Sequence, residues 1–195
     1  MMTEFEILSV PIFFALGLGI TKILGGVGSA IRRREQTKLH WLPFAWAVAI
    51  LLFQIQYLSV LWFFHEDERT WTWSSYIPIL FHPFLFFLSA ILILPTQRDD
   101  SMDNLLADFD KHGKLAVIVI GILLFMSIVF NVYVGGFTWI EVMEANILNA
   151  ILTALTIVVV TSSTRRHLQA AATIAFIAVE LYGILCVWSR PGVVL

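Results

Sequence analysis

Gly17-Leu18-Gly19-Ile20-Thr21-Lys22-Ile23-Leu24-Gly25-Gly26-Val27-Gly28-Ser29-Ala30 is the stretch whose reading decides the fold. It lies in the first long apolar run and leads into Arg32-Arg33-Arg34. In a water-exposed helix each of its five glycines would be about 1 kcal/mol worse than alanine. In lipid the same residues let helix backbones approach closely. Ala15, Gly19, Gly26 and Ala30 recur at steps of four and seven, so they share one side of a helix. Lys22 lies near that side, well inside the apolar run. The stretch reads as a tightly packed transmembrane helix with an ionisable group at depth.

The rest of the chain agrees with a membrane setting. Only 13% of its 195 residues are charged, where a soluble domain carries about a quarter. Mean hydropathy is +0.86. Net charge is −2, which gives no reason to expect nucleic acid as a partner. Cys186 is the only cysteine, so neither an intrachain disulfide nor a cysteine metal site is possible. The start, Met1-Met2-Thr3-Glu4-Phe5-Glu6, is acidic, whereas a cleaved signal peptide begins basic; the first span is expected to be retained.

Apolar runs of bilayer length predict one all-α membrane domain of six spans, at about 7–31, 41–64, 75–95, 114–134, 140–162 and 168–188. Arg32, Arg33, Arg34 and Lys38 follow the first span. Arg98, Lys111 and Lys114 lie between the third and fourth, and Arg165 and Arg166 between the fifth and sixth. The other loops hold only Arg69 and Arg190, with acidic residues such as Glu66, Asp67, Glu68, Glu141 and Glu144. The positive-inside rule puts the basic loops in the cytoplasm and both termini outside. Trp62, Trp71, Trp73, Tyr76, Tyr133, Trp139 and Trp188 gather at outer ends and Trp41 at an inner end, as an aromatic belt does.

The longest inner loop, 96–113, opens with Arg98-Asp99-Asp100. Ser101 can cap a short helix on which Met102, Leu105, Leu106 and Phe109 recur at helical spacing, and Gly113 can end it. An amphipathic helix at about 101–111, lying on the inner membrane face, is expected. Its aspartates lack the spacing of a calcium loop. Gly135-Gly136 predicts a tight turn, and Pro83 a kink beside His82. The linkers Arg32-Arg33-Arg34…His40 and Arg165-Arg166-His167 form a faint repeat.

Counting about 1.5 Å per residue, Gln54, Gln56, His82, Asn149, Glu180 and Lys22 fall within about 10 Å of depth. Glu180 is the sharpest signal, because a carboxylate at bilayer depth is expensive unless it faces protein, water or a partner charge. It reads either as a proton or cation site or as a group that locks helices together. Lys22 can pair with Glu180 or snorkel inward. Asn146, Asn149, Thr153 and Thr156 make a polar stripe on the fifth span, suited to a pathway or to helix-to-helix hydrogen bonds. Gln54, Gln56 and Asn131 have the same two readings. His82 reads as a core histidine or as a proton-relay partner of Glu180.

His40 and His167 match in depth but sit at the interface, which is poor for haem. No HxxxH or HExxH spacing supports zinc, and no cofactor is expected. There is no Walker A loop and no GxSxG elbow, and Gly17 and Gly19 follow no strand, so no enzyme is expected.

Residues Gly17 to Gly26, then a basic turn and Leu39-His40-Trp41, resemble a group of uncharacterised small bacterial polytopic membrane proteins over about the first third of the chain. The resemblance implies a bacterial inner membrane setting. It implies no activity and no site residues.

The leading expectation is a small channel or transporter for protons or a small cation. Glu180 is its ionisable site, Lys22 and His82 tune it, and Asn149, Gln54 and Gln56 line the path. The alternative is a structural or accessory subunit of a larger membrane complex, and a weaker third is a sensor. The expected partners are the lipid bilayer and either further copies of the chain or a larger complex.

Overall fold

The computed structural model describes residues 4–65, 73–95, 104–133 and 138–188. The chain is helical throughout these segments: α1 (Glu4–Arg32), α2 (Trp41–His65), α3 (Trp73–Ile93), α4 (Leu105–Asp108), α5 (Lys114–Tyr133), α6 (Trp139–Ser162) and α7 (Arg166–Trp188). No strand occurs among the described residues; Lys38 and Asn104 form an isolated β-bridge. The Gly135-Gly136 turn, the Arg98-Asp99-Asp100 run and the 66–72 acidic loop lie outside the described residues.

Five helical stretches are long and apolar enough to cross a bilayer: Ser9–Arg32, Trp41–Ser59, Tyr76–Ile93, Leu105–Tyr133 and Arg166–Leu185. This makes the chain a multi-pass helical membrane protein. The sequence reading has a sixth span in α6, whose apolar stretch among the residues with described side chains is Ala150–Ser162.

The inner loop departs from expectation in two ways. The helix starts at Leu105, capped by Asn104, whose side chain accepts from the Leu106 and Ala107 amides at 3.1 and 3.2 Å. Ser101 and Met102 lie outside the described residues. Asn104 is held extended by its bridge to Lys38, which fixes the start there. Nor does the helix stop at Gly113. A π-turn at Phe109–Gly113 carries α4 directly into α5. The Phe109 ring occupies the space where a Gly113 side chain would be, and Phe109 is fully buried. Leu105 and Phe109 thus pack into protein, with α4 against α2 and the π-turn against α3. From Leu105 onward the described part of this segment is continuous with α5.

The chain divides into two compact units, Met1–Ile120 and Gly121–Leu195, and α5 runs from one into the other. In the first unit α1 packs on α3, with α2 against both. Ala15, Gly19, Gly26 and Ala30 are buried. A Cβ at Gly26 would lie 2.8 Å from Leu94 Cβ, and one at Gly19 would collide with the Gln54 amide and reach 3.6 Å from Phe87 Cα. Gly17, Gly25 and Gly28 sit on the other side of α1 in open space.

In the second unit α6 and α7 form a helical hairpin joined by Ser163, Thr164 and Arg165. Thr138 and Glu141 make a capping box that starts α6. Tyr133 and Trp139 meet edge-to-face at 6.1 Å. At Gly121 the helix surface is so close to Ile157 that any side chain would collide with it.

Candidate functional site

The first unit holds a polar seam between α2 and α3. Gln54 on α2 is fully buried, and neither atom of its amide finds a hydrogen-bond partner. Buried polar side chains in folded proteins are nearly always paired, so this one stands out. Gly19 makes room for it from α1. Three residues on, Tyr57 shares that side of α2. Its hydroxyl donates to the Ile79 carbonyl of α3 at 2.6 Å. That carbonyl would ordinarily accept from the amide four residues later. Residue 83 is proline and has no amide hydrogen. Tyr57 therefore supplies the bond that Pro83 withholds.

His82 lies against the same tyrosine. The two rings stack at 5.5 Å, only 11° from parallel, and Phe86 meets Tyr57 edge-on at 5.8 Å. His82 Nδ1 is 2.7 Å from the Pro78 carbonyl oxygen. A carbonyl only accepts, so Nδ1 carries the hydrogen. In the neutral ring Nε2 is then the basic nitrogen. It can take a proton without breaking the bond to Pro78, which is what a relay group needs.

Lys22 lies on α1 one turn beyond Gly19 and is half-buried. Within its own unit it makes no ion pair among the described residues. Gln56 is two residues from Gln54, so it points away from the seam, and it is only half-buried.

The second unit carries Glu180, half-buried on α7, with no hydrogen bond or ion pair within that unit among the described residues. The hairpin register can be read from Gln169. Its side-chain amide donates to the carbonyls of Ser163 at 2.8 Å and Val160 at 3.2 Å. Counting along both helices at about 1.5 Å per residue puts Glu180 level with position 149 of α6. The Asn149 side chain lies outside the described residues. Of the remaining stripe, Thr153 and Thr156 are buried, and the Thr156 hydroxyl has no partner. Asn146 donates to the Val142 carbonyl of its own helix at 2.9 Å.

Two residues that the sequence reading passes over prove central to these contacts. Tyr57 is one; its signal is Pro83, which announces an orphaned carbonyl four residues earlier. Gln169 is the other. It is fully buried, accepts from Arg166 at 2.9 Å and closes the end of α6. Among the described residues no group of three or more histidines, cysteines or carboxylates is placed to hold a metal ion.

Comparison with protein-family models, curated proteins and solved structures finds no match to this chain.

Proposed function

We propose that this protein is a small channel or transporter for protons or a small cation. In this reading α6 is the sixth crossing, both termini lie outside, and the membrane is a bacterial inner membrane. The observation that carries it is Glu180, an acidic side chain on an apolar, bilayer-length helix with no hydrogen bond or ion pair within its unit among the described residues. Carboxylates that lock helices together do so through hydrogen bonds or ion pairs, and among the described residues of its unit Glu180 makes neither. Glu180 is the group that takes up and releases the ion. Each unit brings its own polar equipment to such a step. The first has the oriented His82 ring and the unpaired Gln54 amide, and the second has Glu180 with the Thr156 hydroxyl.

The experiment is ion flux into liposomes carrying the purified protein, under imposed proton, potassium and sodium gradients, with Glu180→Gln alongside. Flux that Glu180→Gln abolishes supports the reading; equal flux in both proteins sinks it.

A second reading, an accessory subunit of a larger membrane complex, draws on a different observation. Much of the buried polar chemistry is spent inside the chain, as in Tyr57–Ile79 and Gln169–Ser163. Meanwhile Gly17, Gly25 and Gly28 leave one face of α1 open. Isolation as one defined oligomer favours the first reading, and co-purification with fixed partners favours the second.

A further inference from the structure

The basic end of α1 does more than terminate a helix. Arg32 suits the negative end of the helix dipole, but that effect fades within the last turn. Lys38 lies well beyond it. The chain between them is folded: the Arg33 and Arg34 amides bond back to Ser29 and Ile31, and those of Gln36 and Thr37 both reach the Arg33 carbonyl at 2.9 Å. Thr37 is buried and pins the turn. The Lys38 carbonyl then accepts from the Leu105 amide at 3.3 Å, tying the turn to α4. On this scaffold Arg32, Arg33, Arg34 and Lys38 are all exposed, against the single exposed carboxylate of Glu35. Arg32, Arg34 and Lys38 have no ion pair among the described residues. Further along the helix that the turn is tied to, Asp110 is engaged by Lys114 at 3.1 Å. Beside the turn, Trp41 stacks on His40 and remains nearly half exposed, at 45%. An exposed indole next to fixed cations at the end of membrane helices is the equipment of the headgroup layer.

We propose that the turn from Arg32 to Lys38 is a docking surface for anionic phospholipid headgroups. Guanidinium groups take phosphate oxygens in a two-pronged fashion, and Arg32 and Arg34 supply two such forks. Lys38 adds a point charge, and the exposed Trp41 ring suits the interfacial layer. The turn is held by its own backbone, so its main chain need not be ordered when lipid arrives. This surface is independent of any ion pathway.

The test uses the full-length protein in uncharged detergent, titrated with short-chain phosphatidylglycerol, short-chain phosphatidylcholine or inorganic phosphate, and followed by thermal unfolding. Phosphatidylglycerol is expected to bind in preference to phosphatidylcholine, more weakly as salt is raised. Each cation near an anionic lipid surface contributes about 1 kcal/mol, or about fivefold in affinity, so Arg32→Gln/Arg34→Gln/Lys38→Gln together should weaken binding roughly a hundredfold. Arg32→Lys/Arg34→Lys keeps the charges but loses the forks, so it should bind more weakly than wild type and more tightly than the triple variant. Equal affinity for the two lipids overturns the proposal without any variant being needed. So does undiminished phosphatidylglycerol binding by the triple variant. Inorganic phosphate binding as tightly as phosphatidylglycerol would mark a free-anion site and also overturn it.

Discussion

The Tyr57 hydroxyl of α2 donates at 2.6 Å to the Ile79 carbonyl of α3, the carbonyl that Pro83 leaves without its helical partner. A proline inside a membrane helix is tolerated when a neighbouring group re-satisfies the freed backbone. Here the neighbour is a single phenol, itself held between His82 and Phe86. Tyr57→Phe keeps the ring and removes only the donor, so the carbonyl is left buried and unpaired. The expected loss is about 1–2 kcal/mol of stability, read from denaturant unfolding in mixed micelles. Pro83→Ala restores the backbone amide, so in the Tyr57→Phe background it should recover much of that loss. Two additive losses would show that the hydroxyl and the proline are unrelated.

Glycines on the two sides of α1 should respond oppositely to a methyl group. At Gly26 a Cβ would lie 2.8 Å from Leu94 Cβ, an atom next to the backbone that cannot swing away. Gly26→Ala should therefore push α1 off α3 and cost about 1–3 kcal/mol. At Gly17 nothing lies within 4 Å. Gly17→Ala should be neutral or stabilising by up to about 1 kcal/mol, through helix propensity alone. Gly19 falls between them, because its obstacle is the far end of the Gln54 side chain. Unfolding midpoints of the three alanine variants give the order directly.

Gln169 closes the second unit's hairpin. The last carbonyls of any helix lack intrahelical partners. Those of Val160 and Ser163 are met by the Gln169 amide, which also accepts from Arg166. Gln169→Leu fills similar space but leaves these groups unmatched, at an expected cost of about 1–3 kcal/mol. Thermal unfolding measures it, and hydrogen exchange should show the Ser163–Arg165 link opening first.

What the sequence conveyed follows from which forces leave a pattern in it. Lipid demands long apolar runs, and each of the six runs read from the sequence is helical in the structure. Small residues at steps of four and seven mark a close-packed side, and Ala15, Gly19, Gly26 and Ala30 are all buried. A side chain bonded to a backbone carbonyl leaves no such pattern, since every residue has a carbonyl. Tyr57 and Gln169 therefore carry no mark of their roles in the sequence. The start of α4 was displaced for a related reason. Ser101 is a good cap in isolation, but the bridge between Lys38 and Asn104 joins segments far apart in the chain, and Asn104 takes the role. Gly113 looked like a stop signal and is instead the notch that receives Phe109. Polar groups at depth, Gln54 and Glu180 above all, were legible because lipid makes them conspicuous. Their use in ion movement remains the proposal.

Proton flux into liposomes tests that proposal most directly. Wild-type protein and Glu180→Gln are reconstituted at equal density in vesicles with an internal pH-sensitive dye, and a potassium or proton gradient is imposed. The account predicts flux with the wild type that falls to the level of empty vesicles with Glu180→Gln, while both proteins unfold at the same temperature. Flux that is indistinguishable between the two, or absent from well-folded wild-type protein, would contradict it and move the weight to a subunit of a larger assembly.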